Sequence, residues 1–208
     1  MTVEACEGLF QAAMERVTAQ INADEIGDFN EATIQHHLAM ALHLIAMESE
    51  EPFSIVLEKR VTRENGDAFP KKQSSKADID IFYTYGADQT RCAIELKVFK
   101  RINHREPNNR YDAYADIANL EAYHGEHSDI GFFALFTDHP HYFDNNFKAL
   151  SAATSDFSLR EDHHYQAGHE LRYQTAKPYG PNLSLRRDYA FLWSNNDQVW
   201  RRLLLEVR

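Results

Sequence analysis

The sequence predicts an α/β chain built around a mixed sheet. Three observations carry that expectation. Two amphipathic helical stretches come first, and after Pro52 the hydrophobic period changes from 3.6 to 2. Two alternating segments are then joined by a short Gly-containing turn. A further helical stretch is followed by a nearly unbroken apolar run, Ile130–Phe136. With 208 residues, 43% of them hydrophobic, the chain can bury a real core, which argues against disorder. One domain over residues 1–208 is expected, with a core at about 28–137 and residues 138–208 as a C-terminal extension packed on it.

Val3, Cys6, Phe10, Ala13, Val17 and Ile21 recur at three- and four-residue steps and predict a first helix. Asp28, with Glu31 three residues on, resembles a capping box ahead of a second helix from about Phe29 to Glu48. Its stripe is Ile34, Leu38, Leu42 and Ile45. Phe53–Thr62 alternates as a strand, and Arg63–Ser75 is a polar loop with Gly66 and Pro70. Ala77–Tyr85 alternates again, with Ile79, Ile81 and Tyr83 on one side and Asp78, Asp80 and Phe82 on the other. Gly86-Ala87-Asp88 turns the chain into Arg91–Phe99, which completes an antiparallel hairpin.

Asn109–His124 is helical, with Gly125 as its stop. Ile130–Phe136 suits a strand buried on both faces. A shorter helix is expected at Tyr142–Ala153, a strand at Tyr189–Trp193 and a closing helix at Asp197–Val207. Residues 155–181 are polar, His-rich and carry no clear pattern.

Several function classes are excluded or disfavoured. No apolar run approaches the length of a membrane span. Met1–Phe10 carries Glu4 and Glu7 but no Lys or Arg, unlike a secretory signal. Two Cys, Cys6 and Cys92, cannot form a disulfide framework, so a reducing compartment and a cytoplasmic location are expected. No Gly-x-Gly-x-x-Gly or Walker sequence supports nucleotide-driven chemistry. The 11 His include no His-Glu-x-x-His helix and no Cys partner, and are read as solvated. The net charge of −10 argues against a uniformly basic nucleic-acid binder.

Charged residues inside the hairpin need an explanation. Asp78 lies on its first strand, and Glu95 and Lys97 share a face of the second. Charges in such apolar surroundings cost free energy unless they are paired or bind a metal. Adjacent strands lie about 4.8 Å apart, so carboxylates from both can reach one cation. Oxygen ligands of this kind suit Mg²⁺ (or Mn²⁺), with Lys97 beside the ion and a phosphate group as substrate. Each element alone reads more readily as a cross-strand ion pair on a solvated face, and it is the combination in this element order that favours a site.

Ala77-Asp78-Ile79, followed 17 residues after Asp78 by Glu95-Leu96-Lys97, resembles the PD-(D/E)xK nuclease superfamily. The resemblance covers residues 28–137 and implies a restriction-endonuclease-like mixed sheet with an α-β-β-β-α-β core flanked by helices. Here an N-terminal helix and a C-terminal extension would be added to it. It implies Asp78 and Glu95 as metal ligands, the Leu96 carbonyl as a third ligand and Lys97 as the catalytic lysine. It also implies a Glu in the helix before the first strand, for which Glu31 is the candidate, with a helix cap as its alternative role. Asp80 lies on the same face as Asp78 and stays open as the ligand. Asp78 is preferred because the apolar alternation begins directly after it. The implied activity is Mg²⁺-dependent phosphodiester hydrolysis of nucleic acid, DNA ahead of RNA and endonuclease ahead of exonuclease. Many relatives cut both strands as dimers, which leaves a homodimer open.

Charge is unevenly spread. Residues 1–58 carry −10, residues 59–110 carry +5, and residues 111–208 carry −5. Lys71, Lys72 and Lys76 lead into Asp78, and Lys100, Arg101, Arg105 and Arg110 follow Lys97. Lys72, Lys76, Lys100, Arg101, Arg105 and Arg110 are therefore the candidate phosphate-backbone contacts. A non-catalytic module on the same fold, binding nucleic acid or protein, is the alternative from another class. Tyr189, Phe191 and Trp193 are read as one packed face of a strand rather than as base-stacking rings.

Overall fold

The computed structural model describes residues 3–71, 73–195 and 197–208. Helix α1 is Val3–Asn22 and α2 is Glu31–Glu48. Strands β1 (Phe53–Thr62), β2 (Lys76–Tyr85) and β3 (Thr90–Phe99) follow, then α3 (Glu106–Tyr123) and β4 (Ile130–Thr137). The remaining elements are 3-10 segments at Arg101–Asn103 and Ala152–Phe157, the short α4 (Pro140–Phe143), and strands β5 (His163–Tyr165), β6 (Tyr189–Phe191), β7 (Trp193–Ser194) and β8 (Arg201–Val207).

The chain is α/β with a mixed six-stranded sheet in the order β1-β2-β3-β4-β8-β7. The strands β1, β2 and β3 pair antiparallel, β3 and β4 pair parallel, and β8 closes antiparallel onto β4. Helices α1 and α2 cover one face. Their stripes, including Phe10, Met14, Ile34 and Leu38, pack against Cys92, Ile94, Leu96, Phe132 and Phe136. Helix α3 covers the other face with Ala113, Ile117 and Leu120, against Ala93, Phe133 and Leu135. Residues 157–193 wrap that side further through Phe157, Leu171, Tyr189, Phe191 and Trp193, all buried. The aromatic residues of Tyr189–Trp193 are thus packed rings rather than a stacking surface.

All eight residues of β4 are buried, as expected of a strand covered on both faces. Its one interruption has a steric reason. A Cβ on Gly131 would lie 3.1 Å from Leu120 Cδ2, so glycine lets α3 approach the sheet closely. Gly125, at φ +83°, follows the end of α3 in the left-handed conformation of a helix stop.

Five expectations are corrected. The cap of α2 is Asn30, whose side chain accepts from the Thr33 backbone N–H at 2.9 Å, while the Thr33 hydroxyl returns to the Asn30 N–H. Asp28 instead pairs with Lys100 at 2.5 Å. Helix α3 begins three residues early, because Pro107 suits a first helical turn. The Tyr142–Ala153 helix is reduced to Pro140–Phe143, where the Asp144 carboxylate takes the Asn146 N–H at 2.8 Å and turns the chain away.

The closing helix is a strand. Leu203, Leu205 and Val207 are buried in alternation, and the run pairs with β4 from Gly131↔Val207 to Thr137↔Arg201. A short apolar run does not distinguish the two conformations by itself. The open edge of β4, with its unpaired backbone groups, decides it. The strand expected at Tyr189–Trp193 is divided. Its first part, β6, pairs with β5 in a separate two-stranded sheet, and β7 joins the main sheet.

Phe10 ties the α1 layer to the sheet. It is 1% exposed and stacks on Phe132 with ring centroids 4.1 Å apart. Phe10→Ala is expected to cost about 3–5 kcal/mol of stability. Urea unfolding should show this as a lower midpoint at unchanged slope.

Candidate active site

The strand β2 does not alternate cleanly. Ala77 and Ile79 belong to the core under α3, whereas Ile81, Tyr83 and Tyr85 belong to the core under α1 and α2. The side-chain pattern therefore slips by one residue at Asp80. The ladder to β1 is interrupted at the same place, since Leu57 pairs with Ile81 and Lys59 with Ile79, but Glu58 and Asp80 do not pair. Glu58 adopts φ +52°, a left-handed conformation that is uncommon for a residue other than glycine. Gln35 of α2 bridges the break. Its amide donates to Glu58 Oε1 at 2.7 Å and to the Asp80 carbonyl at 2.7 Å.

Pairing between β2 and β3 also ends here, at Ile81↔Ile94. Beyond it the strands part, and the Asp80 carboxylate accepts from the Leu96 backbone N–H at 2.7 Å in place of a ladder bond. A cleft of about 340 Å³ opens beside the break, lined by Asn30, Glu31, Gln35, Glu58, Asp80 and Leu96.

The gap lets Lys97 reach both layers. Its ammonium bonds the Leu96 carbonyl and lies 3.2 Å from Glu31 Oε1, 3.4 Å from Asp80 Oδ2 and 3.6 Å from Asp116 Oδ2. Lys97 is 7% exposed and Asp116 is fully buried. Burial alone would depress the Lys97 pKa, but Asp116, Asp80, Glu31 and Glu95 together hold it well above its usual value. Glu95, 2% exposed, accepts from the Tyr123 hydroxyl at 3.1 Å. Burial, reinforced by Asp80 and Asp116, pushes its carboxyl well above the ordinary range. The carboxyls of Asp80 and Glu31 are raised too, by burial first, with Lys97 opposing the shift.

Five residues that sequence reasoning did not place in the site complete it. Lys71, read as part of a basic rim, turns inward to pair with Asp116, and its backbone N–H donates to Asn119 Oδ1 at 3.1 Å. Asp116, Asn119 and Tyr123 lie at three- and four-residue steps along α3 and face the same cluster. Gln35 belongs to α2. The available signal was a polar stripe inside the Ala-rich run of α3, whose residues 109–123 are all buried apart from Asp112.

The sequence-derived candidates divide into two groups. Glu31, Glu95, Leu96 and Lys97 are brought together with Asp80. The preference for Asp78 is corrected: Asp78 pairs with its register partner Arg60 at 2.9 Å, in an exposed cross-strand ion pair. Glu31 is the first helical residue of α2 rather than its cap.

The candidate backbone contacts are scattered. Lys76, Arg101 and Arg105 are exposed, and Lys100 pairs with Asp28. Lys72 lies outside the described residues. Arg110 is corrected: it is 2% exposed and donates to the Thr154 carbonyl at 3.1 Å and the Thr154 hydroxyl at 2.8 Å. Burial pushes its pKa down to about 10. A phosphate could not reach it.

Among the described residues, no group of three or more His, Cys, Asp or Glu side chains is arranged to hold a metal ion. The carboxylates are turned toward Lys97 instead. The donor set is nevertheless oxygen only, and Asp116 Oδ2 is buried with no hydrogen-bond partner. In chemical kind this fits a hard divalent cation. No helix among the described residues is long and apolar enough to cross a membrane. No protein-family profile matches the chain, and no curated protein or solved structure shows significant similarity to it.

Removing the cation should reveal the load on this cluster. Lys97→Met leaves three buried or half-buried carboxylates facing one another and is expected to cost about 3–5 kcal/mol. Thermal and urea unfolding would measure it, and Lys97→Met with Asp116→Asn should recover part of the loss.

Proposed function

We propose that the chain is a divalent-metal-dependent nuclease of the PD-(D/E)xK kind, hydrolysing phosphodiester bonds of nucleic acid, DNA ahead of RNA, as an endonuclease. The observation that supports this most is the joining of Asp80, Glu95, the Leu96 carbonyl and Lys97 at the point where β2 and β3 part, with Glu31 reaching in from α2. Such a set of buried charges has no packing advantage over apolar residues and is costly to assemble, which favours a chemical role.

In this reading Asp80, Glu95 and the Leu96 carbonyl would hold Mg²⁺ or Mn²⁺. When bound, the ion supplies Lewis-acid polarisation of the scissile phosphate. Lys97, released from part of its carboxylate shell, would orient the attacking water and offset negative charge developing on the phosphoryl oxygens. Glu31 stands 3.2 Å from Lys97 Nζ and would fix its direction. Lys71 and Asp116 would position the β1–β2 loop and Lys97 behind the reacting centre. The cleft beside Asp80, walled by Glu31 and Gln35 of α2, has room for a phosphate group.

One observation favours a second reading, a non-catalytic module on the same architecture. The carboxylates already have a counter-ion in Lys97, so the cluster does not require a metal for charge balance. Metal titration separates the two. A module would bind no Mg²⁺, whereas a nuclease would bind it and lose binding in Glu95→Gln.

Incubation with DNA and RNA substrates in Mg²⁺ or Mn²⁺ should give cleavage that EDTA abolishes. Asp80→Asn, Glu95→Gln and Lys97→Ala should each lower the rate by about 10²–10³-fold. Asp78→Asn should leave it close to wild type. Full activity in Asp80→Asn and Lys97→Ala would falsify the assignment.

A further inference from the structure

A second cavity lies at the C-terminal ends of the parallel strands β3 and β4, where open α/β sheets commonly place ligands. Its volume is about 360 Å³, and its walls carry Arg101, His104, Glu106, His139, His141 and Lys148. Phe147 forms an apolar side, edge-on to both His139 and His141 with centroids 5.6 and 6.2 Å away. Of its residues, Arg101 alone is among the candidate backbone contacts.

Its chemistry is that of an anion site. Arg101 and Lys148 are exposed, and among the described residues neither side chain pairs with a carboxylate. The one acid in the wall, Glu106, is already engaged by His139 Nε2 at 2.9 Å. Asp138 lies next to the wall, and its Oδ1 accepts from the Arg101 backbone N–H at 2.7 Å rather than from the guanidinium.

His141 belongs to the same wall but adds no charge to it. Its Nε2 is buried and has no hydrogen-bond partner. Burial, with Arg110 nearby, pushes its pKa down to about 4, so at neutral pH it is an uncharged imidazole. That nitrogen is sealed from solvent, so the charge this wall presents to a ligand comes from Arg101 and Lys148.

We propose that this cavity binds a backbone phosphate of the nucleic-acid strand, held by Arg101 and Lys148 with His104 at the rim. This rests on the nuclease reading for the identity of the strand. Arg101 lies four residues beyond Lys97 along the same chain, at most about 13 Å away at 3.3 Å per residue. The cavity would therefore seat a phosphate away from the scissile one and set the direction of the strand across the C-terminal end of the sheet. Such a contact positions the substrate and carries no base specificity.

The first probe is inorganic phosphate, titrated calorimetrically into the whole chain. Wild type should bind it with a Kd of about 1 mM. Arg101→Ala/Lys148→Ala should weaken it about tenfold or more, because two charge-assisted contacts are lost. Arg172→Ala/Lys177→Ala removes the same formal charge elsewhere and should leave binding unchanged. Arg101 and Lys148 are exposed, so folding should survive, which a melting curve confirms.

The second probe is a labelled duplex DNA oligonucleotide, bound with EDTA present so that nothing is cleaved. Its affinity should fall in Arg101→Ala/Lys148→Ala and hold in the control pair. The slope of log affinity against log salt should also be shallower by about 1–2. Three results overturn the proposal: no phosphate binding by wild type, phosphate binding equal in both double variants, or DNA affinity unchanged by the loss of Arg101 and Lys148. Absence of cleavage under every metal, with DNA binding still sensitive to these residues, would remove the nuclease reading and leave the phosphate site standing. Undiminished cleavage and DNA affinity in Arg101→Ala/Lys148→Ala would do the reverse.

Discussion

A buried ammonium organises the molecule. Lys97 is 7% exposed, and an ion withdrawn from water to that degree requires compensation from more than one side. The compensation comes from three elements that sequence separates widely: Glu31 at the start of α2, Asp80 in β2 and Asp116 on α3. Those two helices lie on opposite faces of the sheet, so no ordinary strand could present one side chain to both. The parting of β2 and β3 past Ile81↔Ile94 makes it possible. The same departure leaves the Leu96 N–H without a ladder partner, and the Asp80 carboxylate takes it. Break, cation and carboxylate therefore form one arrangement. The left-handed Glu58 and the double donation from Gln35 are what hold the break open.

How far the sequence reveals this differs element by element. The bounds of β1 are legible from alternation alone, and those of β3 nearly so, although the break at Glu58 inside β1 is not. Glu95 and Lys97 stand out because charge inside an apolar strand has few structural explanations. Asp80 is legible only as one of two same-face acids. Choosing between it and Asp78 needs the slip at Asp80, and that slip depends on Gln35, 45 residues away. Alternation carried through an undetected break assigns the wrong neighbours. Lys71 and Asp116 are harder still, since a lysine in a polar loop and an acid on a helix resemble solvated residues until both are placed. The strand β8 was hidden for a different reason: its conformation is chosen by the vacant edge of β4, not by its own period.

The distribution of charge gains meaning from the same geometry. Residues 59–110 carry +5, which would suit a basic surface if every cation faced solvent. Many do not. Lys97 and Lys71 are consumed by the internal cluster, and Arg110 is buried against Thr154. Arg60 pairs with Asp78, Arg91 with Asp129 and Lys100 with Asp28, while Lys59 sits over the Phe82 ring at 3.1 Å. The positive excess of this segment is thus partly an internal counter-charge for acids that the fold buries.

Among the described residues, the exposed cations of this segment outside those ion pairs are Lys76 at the start of β2, and Arg101 and Arg105 beyond the end of β3. A segment-wide charge count therefore overstates the electrostatic attraction available to a polyanion, while the placement of the few solvent-facing cations still gives it direction. Long-range steering by the whole chain, at −10, is repulsive toward phosphate. Association of the proposed kind would then rest on short-range contacts with a few solvent-facing cations, at separations where screening matters less than geometry.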